Sequence, residues 1–267
     1  MSIYEDTGIM IYFCVLAAAL GAVLGSFLNC AAWRIAHGES FVRGHSHCTK
    51  CGHALGIRDL VPVLSWLFLG GRCRYCREKI SVRYPVTEAL FAALTVLCLL
   101  RFDLSVICLR NLVFLCCLFC LALVDLESYI IPDGCLILSA AVWVAAIPFA
   151  FSEYGGWSGI LLNLLAAVIY GGGMLGISLL LDRLLKKESL GGGDIKLFAV
   201  MGLYLGLAAS MFALLLACIL GLVFAGLRRK NGEESGTPIP FGPAIAAASG
   251  LMLLYGSPLV NWYLGLL

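Results

Sequence analysis

Long apolar runs joined by short polar links make up most of this chain, and the runs fall at roughly residues 8–33, 85–101, 105–124, 135–151, 158–181, 195–206, 208–227 and 242–265. A helix needs about 20 mainly apolar residues to cross the hydrocarbon of a bilayer, with shorter, tilted or broken spans tolerated. The pattern therefore predicts an all-α polytopic membrane protein of about eight transmembrane helices. The stretch 195–227 is divided at GLYLG (202–206), because its 33 residues far exceed one crossing. One polar insertion, residues 34–84, interrupts the pattern. The expected organisation is a first transmembrane helix over 1–33, a small inserted domain over 34–84 and a membrane domain over 85–267.

Composition strengthens this reading: 61% of residues are hydrophobic, only 13% are charged, and the mean hydropathy is +0.98. Soluble domains carry far more charge. Glu5 and Asp6 occupy the place where a cleavable signal would be basic, so the first span is expected to be retained. The net charge of +2 gives no reason to expect a nucleic-acid partner. Its distribution says more. Of the 18 Lys and Arg residues, 16 fall in three links, at 34–84, 183–196 and 228–230, leaving Arg101 and Arg110 near the other face. The positive-inside rule puts those three links in the cytoplasm and the N-terminus outside, and only an even number of crossings over 195–227 keeps Arg228, Arg229 and Lys230 inside.

The insertion contains Cys48-x-x-Cys51 and, after 21 residues, Cys73-x-x-Cys76. Four thiolates so spaced can close a tetrahedral zinc site. A cytoplasmic address keeps thiols reduced, and about fifty residues with few large apolar groups bury little core, so a metal crosslink is physically useful. A redox C-x-x-C needs one pair only and a βαβ context missing here. With four protein ligands the zinc is structural and leaves no open position. His45, His47 and His53 read as solvated loop residues. The other nine cysteines lie in or beside apolar runs, as small buried hydrophobes do.

Three acids sit where an apolar run meets a link: Asp125, Asp133 and Asp194. An ionised carboxylate at membrane depth costs about 3 kcal/mol even on lenient scales, which makes such acids functional candidates. No Lys or Arg occurs in the segment DLESYIIPD (125–133). The predicted spans bring 125–134 and 182–194 to one face. Two carboxylates about 4 Å apart repel by about 4 kcal/mol at an effective dielectric near 20, so a meeting of Asp125 and Asp194 would leave one proton between them. Such a pair can activate water and polarise an amide. Gly191–Gly193 would let a substrate backbone approach Asp194, with Lys196 at the same edge. Plainer roles stay open. Asp194 suits the N-cap of a helix beginning at Ile195, and Asp133, after Pro132, suits a turn or cap. Asp125 is harder to assign to a cap, because it closes a helix, where the dipole disfavours negative charge.

Taken in order, GSFLNCAAWR (25–34), the cysteine pairs, PVLSWLFLGGRCRYC (62–76), ISVRYPVTEAL (80–90), VDLESYIIPD (124–133), GGGDIK (191–196) and PFGPAIA (240–246) resemble the type IV prepilin peptidase family of GxGD membrane aspartyl proteases. The resemblance implies a catalytic pair, Asp125 and Asp194, with Gly191 and Gly193 completing the signature and Asp133 and Lys196 supporting. It also implies that Cys48, Cys51, Cys73 and Cys76 bind zinc. The implied activity is cleavage of the leader of type IV prepilins or type II secretion pseudopilins at the cytoplasmic face of the bacterial inner membrane. The new N-terminal residue would then be N-methylated with S-adenosyl-L-methionine. No glycine-rich nucleotide fingerprint marks a methyl-donor site. Glu88, just inside the second span, is a candidate participant or a helix-packing acid. Arg72 and Arg74 do not suit a basic leader, and contact with membrane lipid is expected of them.

Other classes predict other patterns. A transporter or ion pathway would place its acids at the bilayer midplane between related halves, and no such symmetry is visible. A non-catalytic zinc-anchored scaffold would not require two acids on one face. A metalloprotease would carry H-E-x-x-H, which is absent from the sequence.

Overall fold

The computed structural model describes residues 6–40, 45–186, 189–230 and 239–265. The chain forms two compact units, 1–108 and 109–267. Among the described residues eight α-helices run in the order α1 (Thr7–Ala36), α2 (Leu64–Phe68), α3 (Arg83–Phe102), α4 (Val106–Ser128), α5 (Asp133–Ala146), α6 (Gly156–Leu185), α7 (Gly192–Lys230) and α8 (Gly242–Leu264). Six of them are long and apolar enough to cross a membrane; α5, with 14 residues, is a shorter apolar helix.

In the first unit, α1 starts at Asp6, whose carboxylate accepts the Gly8 N–H at 2.7 Å and so caps the helix. It packs antiparallel on α3 through small residues. A methyl group on Gly21 would lie 2.8 Å from Ala92 Cα, and one on Gly25 would lie 3.0 Å from Glu88 Cα. Close backbone approach of this kind is how helices associate where lipid removes the hydrophobic drive. Asn29 ties the same seam by donating to Thr87 Oγ1 at 2.6 Å. The outer face of α1 exposes Tyr12, Val15, Leu20, Val23 and Phe27, as a lipid-facing stripe does.

In the second unit the decisive feature is a break in α7 at Gly206, whose φ of 70° and ψ of −171° are non-helical. The Phe241 ring lies 6.2 Å from the Phe198 ring and fills the space where a Gly221 side chain would start, 2.9 Å away. In a straight helix, residues 198 and 221 would be about 35 Å apart and could not both touch one ring. The chain therefore reverses at Gly206. Its first half packs antiparallel on α6, with Gly202 against Ala166 and Gly171 against Ala199. Its second half packs antiparallel on α8, with Ala209 near Gly256 and Gly221 near Phe241. The predicted division within 202–206 thus falls at the last of those residues. The return stroke brings Arg228 beside Tyr129, whose hydroxyl accepts its Nη2 donor at 3.2 Å, so the chain comes back to the end where α4 finishes.

At the other end of α4, Arg110 is buried. Its Nε and Nη2 both donate to Asn111 Oδ1, and its guanidinium carbon lies 5.1 Å from the rings of both Tyr154 and Tyr204. The tyrosine faces offset the burial of a cation that has no carboxylate beside it among the described residues.

Candidate active site

Asp125 lies in the last turn of α4 and is 5% exposed. Its own helix dipole opposes a negative charge there. The compensation comes from α8, which points its N-terminus at the carboxyl: Gly242 N–H donates to Asp125 Oδ2 at 2.9 Å. This contact needs glycine, because a methyl group on Gly242 would lie 2.7 Å from the same oxygen. Pro243 follows in the first turn, where its missing N–H costs nothing.

Asp194 enters from α7, which begins at Gly192 rather than at Ile195. Asp194 is therefore inside the first turn and is not the N-cap residue. Its Oδ1 is buried with no hydrogen-bond partner among the described residues. Gly242 on Asp125 and the neighbouring Phe241 ring on Phe198, four residues after Asp194, bring the two acids, 69 positions apart in sequence, to one end of the unit. Gly191 makes room for the acid, since a methyl group there would lie 3.2 Å from Asp194 Oδ2. Gly193 packs on Ile131 with only 2.8 Å between its missing methyl and Ile131 Cβ. The glycines thus let α7 seat against the segment after α4. Asp133, the first residue of α5, accepts Lys196 Nζ at 2.7 Å, both side chains being 58% exposed. That pair links the starts of α5 and α7. Two of the residues that shape this site, Ile131 and Gly242, carry no functional group by which a sequence motif assigns them a role. The signal for Gly242 was glycine immediately before proline at the start of an apolar run.

In the inserted segment the thiol sulfurs of Cys48, Cys51, Cys73 and Cys76 all lie within 4.8 Å of one another, with Cys48 and Cys76 3.9 Å apart. Sulfurs at the corners of a tetrahedron with bonds near 2.3 Å are about 3.8 Å apart, so the set fits zinc. Two equivalent knuckles build it. Cys48 N–H donates to His53 O and Cys73 N–H to Glu78 O, while Gly52 N–H and Arg77 N–H return to Cys48 O and Cys73 O. The residue after the second cysteine is left-handed in both, Gly52 at φ 69° and Arg77 at φ 61°. Backbone N–H groups of Cys51 and Lys50 hold the Cys48 thiol down to about 7, which favours the thiolate a metal requires. Between the knuckles Asp59 accepts Arg74 Nε at 2.7 Å and the Tyr75 hydroxyl at 3.2 Å, so Arg74 is engaged within the module.

Residues 19–102 match the Bacterial Peptidase A24 N-terminal domain, and residues 112–226 match the Type IV leader peptidase family. A prepilin leader peptidase/N-methyltransferase from Bacillus subtilis is 33% identical over 91% of this chain and 95% of its own length. The chain belongs to the type IV leader peptidase family. A protein of the same description from Pseudomonas putida is also 33% identical, over 92% of this chain and 91% of its own. A type 4 prepilin-like proteins leader peptide-processing enzyme from Escherichia coli is 31% identical over 90% and 93%. No solved structure matches the chain. Membership in this peptidase family, with six membrane-length helices, makes the protein a multi-pass membrane enzyme.

Proposed function

We propose that this protein cuts the leader peptide of type IV prepilins or type II secretion pseudopilins at the cytoplasmic face of the bacterial inner membrane, using Asp125 and Asp194, and N-methylates the new N-terminal residue with S-adenosyl-L-methionine. The observation that carries the reading is that the buried Asp125 and Asp194, whose Oδ1 is buried, come from separate helices to one end of the second unit. The names of the Bacillus subtilis and Pseudomonas putida relatives support both reactions, and that of the Escherichia coli relative supports leader processing.

In this reading Asp125, already holding the Gly242 N–H, is the anionic base that takes a proton from water. Asp194, whose Oδ1 has no internal partner, carries the proton offered to the scissile carbonyl. The residues Ile131, Gly193, Asp133 and Lys196 position α7 against α5 and the segment before it. The charge pattern supports a cytoplasmic site, since Arg228 lies at the same end as Asp125. Four cysteines in a fitted tetrahedron support a structural zinc. Arg72, exposed on the module, would face anionic headgroups.

Purified Asp125→Asn and Asp194→Asn should each cut a prepilin at least about 100-fold more slowly, with unchanged helix content. Either variant cutting at the native rate would end the proposal.

A further inference from the structure

In the first unit the chain from Leu60 to Gly71 carries no charged residue, and exposed arginines, Arg58 and Arg72, stand on either side of it. Within it α2 presents Leu64, Leu67 and Phe68 at 51%, 58% and 87% exposure, and Ile57 in the preceding 3-10 turn is 88% exposed. The spacing i, i+3, i+4 puts the three on one face of the helix. Another side of α2 is already committed. The Trp66 indole N–H donates to Ile80 O at 3.1 Å, and its ring covers Gly71, where a methyl group would lie 2.8 Å away. The apolar stripe is therefore held outward, and contiguous apolar patches of this kind are rare on surfaces that meet only water.

The level of the stripe is set by α3. The Val63 N–H, immediately before α2, donates to Glu88 Oε2 at 2.7 Å. Glu88 lies in the second turn of α3, about 7 Å along the axis from Arg83. With 20 residues α3 is about 30 Å long, only the thickness of the hydrocarbon, so its first turns cannot stand clear of the bilayer. Val63 has φ 59°, a left-handed conformation that a β-branched residue rarely adopts. Such strain persists where the surroundings over-determine it, so the entry into α2 is fixed rather than a loose link.

We infer that α2 is an interfacial lipid anchor: Leu64, Leu67 and Phe68 sit at the hydrocarbon edge of the leaflet beside the cysteine-bearing module, with Arg58 and Arg72 among anionic headgroups. The inference deepens the headgroup contact proposed for Arg72 and requires a membrane enzyme, not its peptidase chemistry. A free helix of five residues is too short to form by itself, and here Glu88 and Ile80 hold it ready-made. Apolar side chains flanked by cations match a bilayer surface in both hydrophobicity and charge. A partner protein would have no reason to meet the stripe at the depth where α3 enters the membrane.

The test places a photoreactive benzophenone side chain at position 68 of the full-length protein, reconstituted with a prepilin in vesicles of phosphatidylethanolamine and phosphatidylglycerol. Adducts are identified by mass spectrometry, and most should be phospholipid. Leu67→Asp should lower the lipid-adduct fraction about tenfold while thermal unfolding stays native, because Leu67 is exposed. Adducts chiefly to the prepilin or to a second copy of the chain, no adduct at all, or an unchanged lipid fraction in Leu67→Asp overturn the inference. Cleavage of the prepilin in the same vesicles reads the peptidase separately. A protein that cuts but yields no lipid adduct loses the anchor and keeps the peptidase, and one that yields lipid adducts without cutting does the reverse.

Discussion

Asp125 occupies space that only a glycine at position 242 leaves free, and the two are joined by an N–H donor 2.9 Å long. Gly242→Ala should therefore move the carboxyl or break its bond to the N–H of residue 242. A displacement near 1 Å at a reacting group costs about 100-fold in rate, so prepilin cleavage should fall on that scale with thermal stability little changed. The effect reads directly from initial rates. A second residue-scale prediction concerns Arg77, which holds the left-handed position that Gly52 fills in the other knuckle. Arg77→Gly removes the steric penalty of a side chain there and should stabilise the zinc-loaded module by about 1 kcal/mol, measured by thermal unfolding. The acids and cysteines were legible in sequence because their chemistry is carried by residue type and spacing. Gly242 and Ile131 were not, since their importance is a matter of which backbone comes within 3 Å of which atom.

The module between α1 and α3 is held by local elements that each do little alone. Two knuckles carry the four thiols, and a 3-10 turn at Ile57–Asp59 and the five residues of α2 lie between them in the chain. Stripping the metal with a chelator should lower the melting temperature of this module and expose Cys48 and Cys73 to a thiol reagent. Unchanged thiol reactivity would contradict a structural zinc. The Arg74 guanidinium, with help from the Gly56 N–H, holds the Asp59 carboxyl below its ordinary value of 3.8. A depressed acid contributes stability above its unfolded value and loses it as pH falls through the folded one. Asp59→Asn should thus lower the melting temperature at pH 7 and make no difference near pH 2, where both forms lack the charge. Element positions in the membrane were readable from apolar length. The start of α7 was not, because three glycines before Asp194 look like loop, whereas Gly192 and Gly193 open the helix and Gly193 packs on Ile131.

Across the whole chain, charge distribution and apolar length together set the expectation that residues 195–227 cross twice, and the reversal at Gly206 provides the means. An unbroken α7 of 39 residues would be about 58 Å long, nearly twice the hydrocarbon thickness. The φ and ψ of Gly206 lie where only glycine is stable, and Asn163 Oδ1 closes the remaining space at 3.0 Å. Sequence pattern alone could not say which residue of GLYLG turns the chain, as that depends on the neighbour across α6. Gly206→Val should abolish cleavage although both aspartates remain. A protease site placed after Lys230 should then become accessible from the opposite side of the membrane in oriented vesicles.

Gly206 thus governs the parity of everything downstream of it. Counted from that point, one fewer turn would deliver α8 to the membrane upside down, and the amide that steadies Asp125 would emerge in the wrong compartment. A residue with no functional group, 12 positions beyond Asp194, determines whether the pair is ever completed.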